Sequence, residues 1–163
     1  MKKYNTNRKG FAIVEATISS AVLLIAVMGT MKFDYYSAID SYRSQCQLEG
    51  CMLGSAVMES WQGQGGTLEF NPAQDLSDSI MDCGDVSVSG AYFGPGIPAG
   101  FTISYDIFPY YKITINGTKF RVALSYKFID GYKYLNVRVG WANNLDGGYW
   151  KSRDYVGITE CLH

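Results

Sequence analysis

Hydrophobic and polar residues follow three patterns along the chain. Residues 11–31 form an almost unbroken apolar run, residues 32–62 repeat apolar side chains every three or four positions, and residues 101–163 alternate apolar and polar side chains in short segments. These patterns are typical of a membrane-spanning helix, an amphipathic helix and β-strands, respectively. We therefore expect an α+β fold in which a long N-terminal helix packs on a C-terminal antiparallel meander sheet.

The apolar run from Phe11 to Met31 contains one charged residue, Glu15. As a helix the run would extend about 31 Å, which matches the hydrocarbon core of a bilayer. A carboxylate at the centre of a bilayer costs about 2.5–3.5 kcal/mol or more, and such residues are rarely present without a role. We therefore expect Glu15 to have a specific partner.

Residues 32–62 continue the same helix, because no proline occurs before Pro72. Its apolar face consists of Ile39, Tyr42, Cys46, Gly50, Leu53, Val57 and Trp61. This face predicts packing on the sheet. Gly50 and Gly54 each cost about 1 kcal/mol relative to alanine inside a helix. Two interpretations remain open for them: close approach of the sheet or a neighbouring molecule, or a tolerated imperfection.

Residues 63–100 are rich in Gly, Pro, Asp and Ser, and the glycines at 63, 65 and 66 end the predicted helix. We expect a loop there. Beyond it, alternating segments predict strands at 101–107, 111–115, 120–128, 135–141 and 149–159. Asn116-Gly117 and Asp130-Gly131 favour tight hairpin turns. One face of this sheet should cover the helix, and the other should face solvent or neighbours.

Charge is distributed unevenly. The formal net charge is −1, but the first ten residues contain Lys2, Lys3, Arg8 and Lys9 and no acid. The rest of the chain holds 10 basic and 15 acidic residues, a charge of about −5. A nucleic-acid-binding domain would need a basic face, so this balance argues against such a partner.

All four cysteines, Cys46, Cys51, Cys83 and Cys161, follow the apolar run. No CxxC pair exists and the single histidine is His163, which argues against zinc. An even number of cysteines on the outer side of a membrane favours disulfides, with free buried thiols as the alternative. Cys46 and Cys51 lie about 140° apart around a helix and should not bond each other. Of the three possible connectivities we prefer Cys51–Cys83 with Cys46–Cys161.

The sequence carries no catalytic signature. The terminal position of the one histidine excludes a Ser-His-Asp triad, and no P-loop or GxGxxG motif occurs. A paired-carboxylate hydrolase has no spacing rule and no positive support. We expect neither an enzyme nor a cofactor.

Calcium binding is one interpretation of two acidic segments. They are the run containing Asp75, Asp78, Asp82 and Asp85, and the turn at 143–148. A solvated loop and a simple turn are the alternatives, since no regular ligand loop is present. Asn116-Gly117-Thr118 also matches a glycosylation sequon, although hairpin chemistry explains it fully.

The residues Gly10-Phe11-Ala12-Ile13-Val14-Glu15, preceded by a basic leader, resemble the class III signal of type IV prepilins. In that family a leader ends in glycine and is followed by Phe, three mostly apolar residues and Glu. The resemblance implies cleavage between Gly10 and Phe11 by the prepilin peptidase and N-methylation of Phe11. It also implies that Glu15 pairs with the terminal amine of a neighbouring subunit. In low dielectric the two charges compensate each other only when docked together.

Two other N-terminal signals fit less well. A secretory signal would show a small-residue cleavage site after the apolar run, whereas this run ends Met28-Gly29-Thr30-Met31-Lys32. An uncleaved membrane anchor is compatible with the run but leaves Glu15 unexplained.

The pilin resemblance implies five segments: leader 1–10, transmembrane or filament-core helix 11–31, amphipathic helix 32–62, variable αβ-loop 63–100 and antiparallel sheet 101–163. It implies a single pass through the inner membrane, with a cytoplasmic N-terminus and a periplasmic C-terminal domain, followed by assembly into a periplasmic or cell-surface filament. The implied partners are other pilin subunits, the prepilin peptidase, the inner-membrane assembly platform and the lipid bilayer.

Lys32 departs from the pattern of major pilins, which usually carry proline at about the twenty-second mature position. Minor pilins and pseudopilins often lack that proline. The resemblance therefore implies a minor pilin or pseudopilin of a type IV pilus, type II secretion or DNA-uptake machine. The alternatives are a binding or adhesion module at a filament tip and a membrane-anchored periplasmic enzyme.

Overall fold

The computed structural model describes residues 7–76, 86–91, 94–104, 110–142 and 150–160. Within these residues, the helices are α1 (Asn7–Gly63) and α2 (Pro72–Asp75), and the strands are β1 (Val86–Ala91), β2 (Thr102–Ile103), β3 (Tyr110–Ile115), β4 (Thr118–Ile129), β5 (Tyr132–Ala142) and β6 (Trp150–Glu160). One long N-terminal helix and an antiparallel sheet confirm the α+β class. The chain divides into two compact units, residues 1–42 and 43–163.

The described part of the first unit is helical. The helix begins at Asn7, so the last residues of the predicted leader already belong to it. Side chains from Phe11 to Ala38 are exposed to solvent. No part of the unit's described chain therefore covers this apolar surface.

In the second unit, residues 43–63 of α1 pack on the sheet with the predicted face. Cys46, Gly50, Leu53, Val57 and Trp61 are all buried. The sheet meets them with alternate residues of β4 and β5 that are at most 1% exposed: Phe120, Val122, Leu124, Leu135, Val137 and Val139. The 3.6-residue period of the helix and the two-residue period of the strands thus share one hydrophobic core.

The end of α1 is fixed by its glycines and by Trp61. Gly65 and Gly66 have φ values of 69° and 67°, and the Gly66 N–H donates to the carbonyl of Trp61. The indole Nε1 of Trp61 donates to the carbonyl of Thr67 at 2.8 Å, and its ring stacks on Phe70. The bond from Gly66 satisfies a carbonyl that the last helical turn leaves free, and the contacts of the indole hold the chain beyond the helix against it.

The strands are ordered β1-β3-β4-β5-β6, and each neighbouring pair is antiparallel. Both predicted hairpin turns are confirmed. Asn116 and Gly117 have φ values of 48° and 81°, and Asp130 and Gly131 have values of 52° and 84°. Positive φ at both central residues is the geometry of a type I′ turn, which matches the twist of the flanking strands.

Two features of the sheet differ from the prediction. β1 lies inside residues 63–100, which were expected to form a loop, and it pairs with β3. β2 pairs with β4 through Thr102–Tyr126 and Ile103–Ser125 instead of joining the next strand of a meander. The reason is length: β3 pairs only with residues 118–122 of β4, so the later part of that edge accepts a different strand.

The sheet face opposite α1 is partly covered by the segment that precedes β2, through Pro95 beside Gly140 and Phe101 beside Lys127. A Cβ at Gly140 would lie 3.0 Å from the Cβ of Pro95, which shows how closely this segment approaches β5. Beyond it, several apolar side chains remain exposed: Ile129, Tyr132, Val156 and Ile158. This face is therefore only partly open to solvent.

Candidate membrane-spanning and assembly segment

Residues 11–31 present apolar side chains around the whole circumference of α1. Phe11 is 75% exposed and Ile25 is 71% exposed. No residue in the most apolar stretch of the helix is buried. Soluble monomers rarely expose contiguous apolar surface of this size, so the segment requires a covering medium. By length and composition it meets the criterion for a membrane span, a criterion that signal sequences near an N-terminus also meet.

Three hydroxyl side chains in this segment bond to the backbone of their own helix. Thr17 Oγ1 lies 2.8 Å from the carbonyl of Val14 and 3.1 Å from that of Ile13. Ser20 and Thr30 donate in the same way to Thr17 and Val27, each at 2.9 Å. Such bonds satisfy the hydroxyl proton without water, as a hydrocarbon or a packed helix bundle requires.

Glu15 differs from these residues, because its carboxylate makes no such hydrogen bond within the described helix. Among the described residues, no ion pair or hydrogen bond involves it. It lies four residues after Phe11, so the two share one helix face about 6 Å apart along the axis. A carboxylate moved from water to a low-dielectric surrounding needs a cation or donors there.

The structure places the predicted cleavage site inside a helix. The Gly10–Phe11 bond lies within α1, between its fourth and fifth residues. Phe11 and Glu15 lie on one face of this helix, and the described cysteines lie further along it.

The two described cysteines lie where α1 meets the sheet. Cys46 is buried, at 2% exposure, and Cys51 is half-buried. Arg153 Nη1 donates to Cys51 Sγ at 3.2 Å. Both thiols are free, so no disulfide is seen, and the expected partners Cys83 and Cys161 lie outside the described residues.

Calcium binding was one alternative for the acidic segments. In the described part of the chain, no group of three potential metal ligands lies together. Asp75 Oδ2 instead accepts a hydrogen bond from the backbone N–H of Asn71 at 2.7 Å and so caps α2. Asp78, Asp82, Asp85 and the turn at 143–148 lie outside the described residues.

Sequence reasoning missed a buried cation on the sheet. Lys133 is 8% exposed and donates through Nζ to the carbonyl of Gly66, just beyond the end of α1. Its Nζ also lies 4.8 Å from the ring centroid of Tyr126. The sequence did contain a signal for this residue. Lys133 lies two residues before Leu135, where the predicted strand began, and side chains two residues apart in a strand point to the same face. The alternation therefore already placed Lys133 on the face that packs against the helix.

An ion pair on the opposite face was also missed. Arg138 Nε and Nη2 donate to the two carboxylate oxygens of Asp154 at 2.5 and 2.7 Å. Asn136 Nδ2, itself in a buried side chain, lies 3.4 Å from Asp154 Oδ1. These bonds lower the pKa of Asp154, with Arg138 as the largest cause. The pairing of β5 with β6 creates this contact, so the sequence alone gave no signal for it.

No protein-family model, curated protein or solved structure matches the chain. A long apolar N-terminal helix with an antiparallel sheet is compatible with a pilin-like architecture and with single-pass membrane anchoring, but this architecture alone does not assign a family.

Proposed function

We propose that this protein is a structural subunit of a bacterial filament, namely a minor pilin or pseudopilin of a type IV pilus, type II secretion or DNA-uptake machine. The observation that carries the proposal is the exposed apolar face of α1, on which Glu15 lies one helical turn after Phe11. The prepilin-like residues around this pair supply the second support.

Two successive environments would cover the apolar surface. In the inner membrane, lipid would surround residues 11–31, and after extraction the equivalent helices of other subunits would replace the lipid. Both environments are dry, and the hydroxyl groups of Thr17, Ser20 and Thr30 are already satisfied within the helix. Neither transfer therefore has to break their hydrogen bonds.

Glu15 would make the second environment selective. In the membrane its carboxylate is costly, and in the filament the amine of a neighbouring Phe11 would compensate it. The new amine exists only after cleavage at Gly10, so uncleaved subunits would lack the cation. In this proposal, processing and assembly are therefore coupled through one ion pair.

Mass spectrometry of the mature N-terminus tests the proposal. The full chain is expressed with and without the prepilin peptidase, and its N-terminal peptide is sequenced. We expect a chain that begins with N-methylated Phe11 when the peptidase is present and an intact leader when it is absent. An intact leader in both strains, or cleavage after the apolar run, would overturn the proposal in favour of an anchored protein or a secreted one.

A further inference from the structure

Three large aromatic side chains follow the apolar run directly. Phe33, Tyr35 and Tyr36 are 73%, 64% and 62% exposed, and the rings of Tyr35 and Tyr36 meet edge to face at 5.8 Å. Lys32 precedes them, and the one acid among these residues is Asp34. The cluster therefore combines aromatic surface, phenolic hydroxyls and a cation on an exposed stretch of helix.

The helix distributes these residues unequally around its axis. At 100° per residue, Lys32, Phe33, Tyr35 and Tyr36 occupy an arc of about 160°. Asp34 lies opposite the middle of this arc. One side of the helix is thus aromatic and cationic, and the other side carries the acid.

We propose that Lys32, Phe33, Tyr35 and Tyr36 form an interfacial anchor that lies in the lipid headgroup layer. This inference rests on the proposed function only in that residues 11–31 span a bilayer. Tyrosine prefers the membrane–water boundary because its ring is apolar and its hydroxyl needs water. The ammonium of Lys32 complements the phosphates found at that depth.

The dimensions of the helix support this placement. A span that ends at Met31 fills the hydrocarbon core, and the next five residues rise about 7.5 Å further. Each headgroup layer is about 5–7 Å thick. The aromatic arc therefore coincides with the headgroup layer and lies outside the hydrocarbon.

The unequal distribution also predicts a direction of tilt. A helix that leans toward its aromatic arc brings the three rings closer to the acyl chains and lifts Asp34 toward water. Tilt and rotation of a spanning helix are set by anchors of this kind.

Depth-dependent fluorescence quenching tests the anchor. The full chain is reconstituted in vesicles of phosphatidylcholine and phosphatidylglycerol, with bromine placed either near the headgroup or deep in the acyl chain. Tyr36→Trp reports on the anchor and Val22→Trp on the middle of the span. The emission of the unsubstituted protein, which contains Trp61, Trp141 and Trp150, is subtracted.

We expect Tyr36→Trp to lose more emission to shallow bromine and Val22→Trp to lose more to deep bromine. Quenching of Val22→Trp alone would overturn the anchor while leaving the span intact. Stronger quenching of Tyr36→Trp by deep bromine than by shallow bromine would also overturn the anchor. A blue-shifted Tyr36→Trp emission that bromine does not quench would overturn it too, because a neighbouring protein would then be what covers this position. Absence of quenching at both positions would overturn the span as well.

Discussion

The ring of Tyr155 on β6 occupies the space that a side chain at Gly54 of α1 would need. A Cβ at Gly54 would lie 2.1 Å from Cε2 of Tyr155. A Cβ at Gly50, one turn earlier, would lie 3.0 Å from Cε3 of Trp141, which is a less severe overlap. Both glycines therefore allow aromatic residues of the sheet to approach the helix backbone. Of the two interpretations that the sequence left open, close approach of the sheet is confirmed.

Gly54→Ala should destabilise the second unit, because the tyrosine ring must move to admit the methyl group. Overpacking of this kind typically costs about 1–3 kcal/mol, and the gain in helix propensity offsets about 1 kcal/mol of it, so we expect a net loss of up to about 2 kcal/mol. Denaturant unfolding of the full chain in detergent micelles, followed by tryptophan emission, measures the effect, since all three tryptophans lie in residues 43–163.

Gly63→Ala is the matched control for this substitution. A Cβ there meets nothing within 4 Å, so helix propensity should make the change neutral or stabilising by up to about 1 kcal/mol. In a Tyr155→Val background, Gly54→Ala should cost less than it does in the unsubstituted protein, because the ring that opposes the methyl group is absent. A gain in stability for Gly54→Ala as large as that for Gly63→Ala would show that the ring relaxes without cost.

Lys133→Met should also destabilise this unit. The change retains the length of the side chain but removes the Nζ donor to the carbonyl of Gly66 and the cation beside Tyr126. A buried acceptor without its donor costs about 1–3 kcal/mol. Lys119→Met, at an exposed position on β4, should stay within about 0.5 kcal/mol in the same unfolding assay. A more stable Lys133→Met would mean that desolvation of the buried ammonium outweighs its contacts.

The Arg138–Asp154 pair should make stability depend on pH. Its hydrogen bonds lower the pKa of Asp154 in the folded state. The pair therefore stabilises the fold fully above the unfolded-state pKa of about 3.9, and this contribution is lost as the pH falls through the lower folded-state value.

Asp154→Asn isolates this contribution. Asp154 is 38% exposed, so solvent screening limits the loss at pH 7 to about 0.2–1 kcal/mol. The difference between Asp154→Asn and the unsubstituted protein should vanish in acid. Arg138→Gln should behave alike, and the double variant should lose no more than either single one. A difference that does not diminish as the pH falls below the unfolded-state pKa would exclude ionisation of Asp154 as its cause.

Glu15→Val should insert into the membrane but fail to enter filaments. Removal of one partner of a buried ion pair leaves the other charge uncompensated, at a cost of about 3–5 kcal/mol. Membrane fractionation and immunoblotting of sheared filaments separate the two steps. Ile18→Val, an apolar change on the same helix, should be incorporated normally. Normal incorporation of Glu15→Val would refute the pairing model without affecting the membrane span.

The sequence predicted the buried helix face and the central hairpins well because these depend on local periodicity and turn chemistry. The stripe from Cys46 to Trp61 and the two type I′ turns are examples. Strand β1 escaped prediction because its alternation covers only Val86-Ser87-Val88-Ser89 and glycines and aspartates surround it. Short strands of small residues acquire their structure from a neighbour, here β3.

By itself, the sequence determined the α+β class, the long apolar helix and the position of Glu15 four residues after Phe11, because these follow from spacing along one chain. Only the tertiary structure decided that Tyr155 faces Gly54, that Lys133 reaches Gly66 and that Arg138 pairs with Asp154. Each of these contacts joins residues distant in sequence. Their partners are set by strand order and register, which no local pattern encodes.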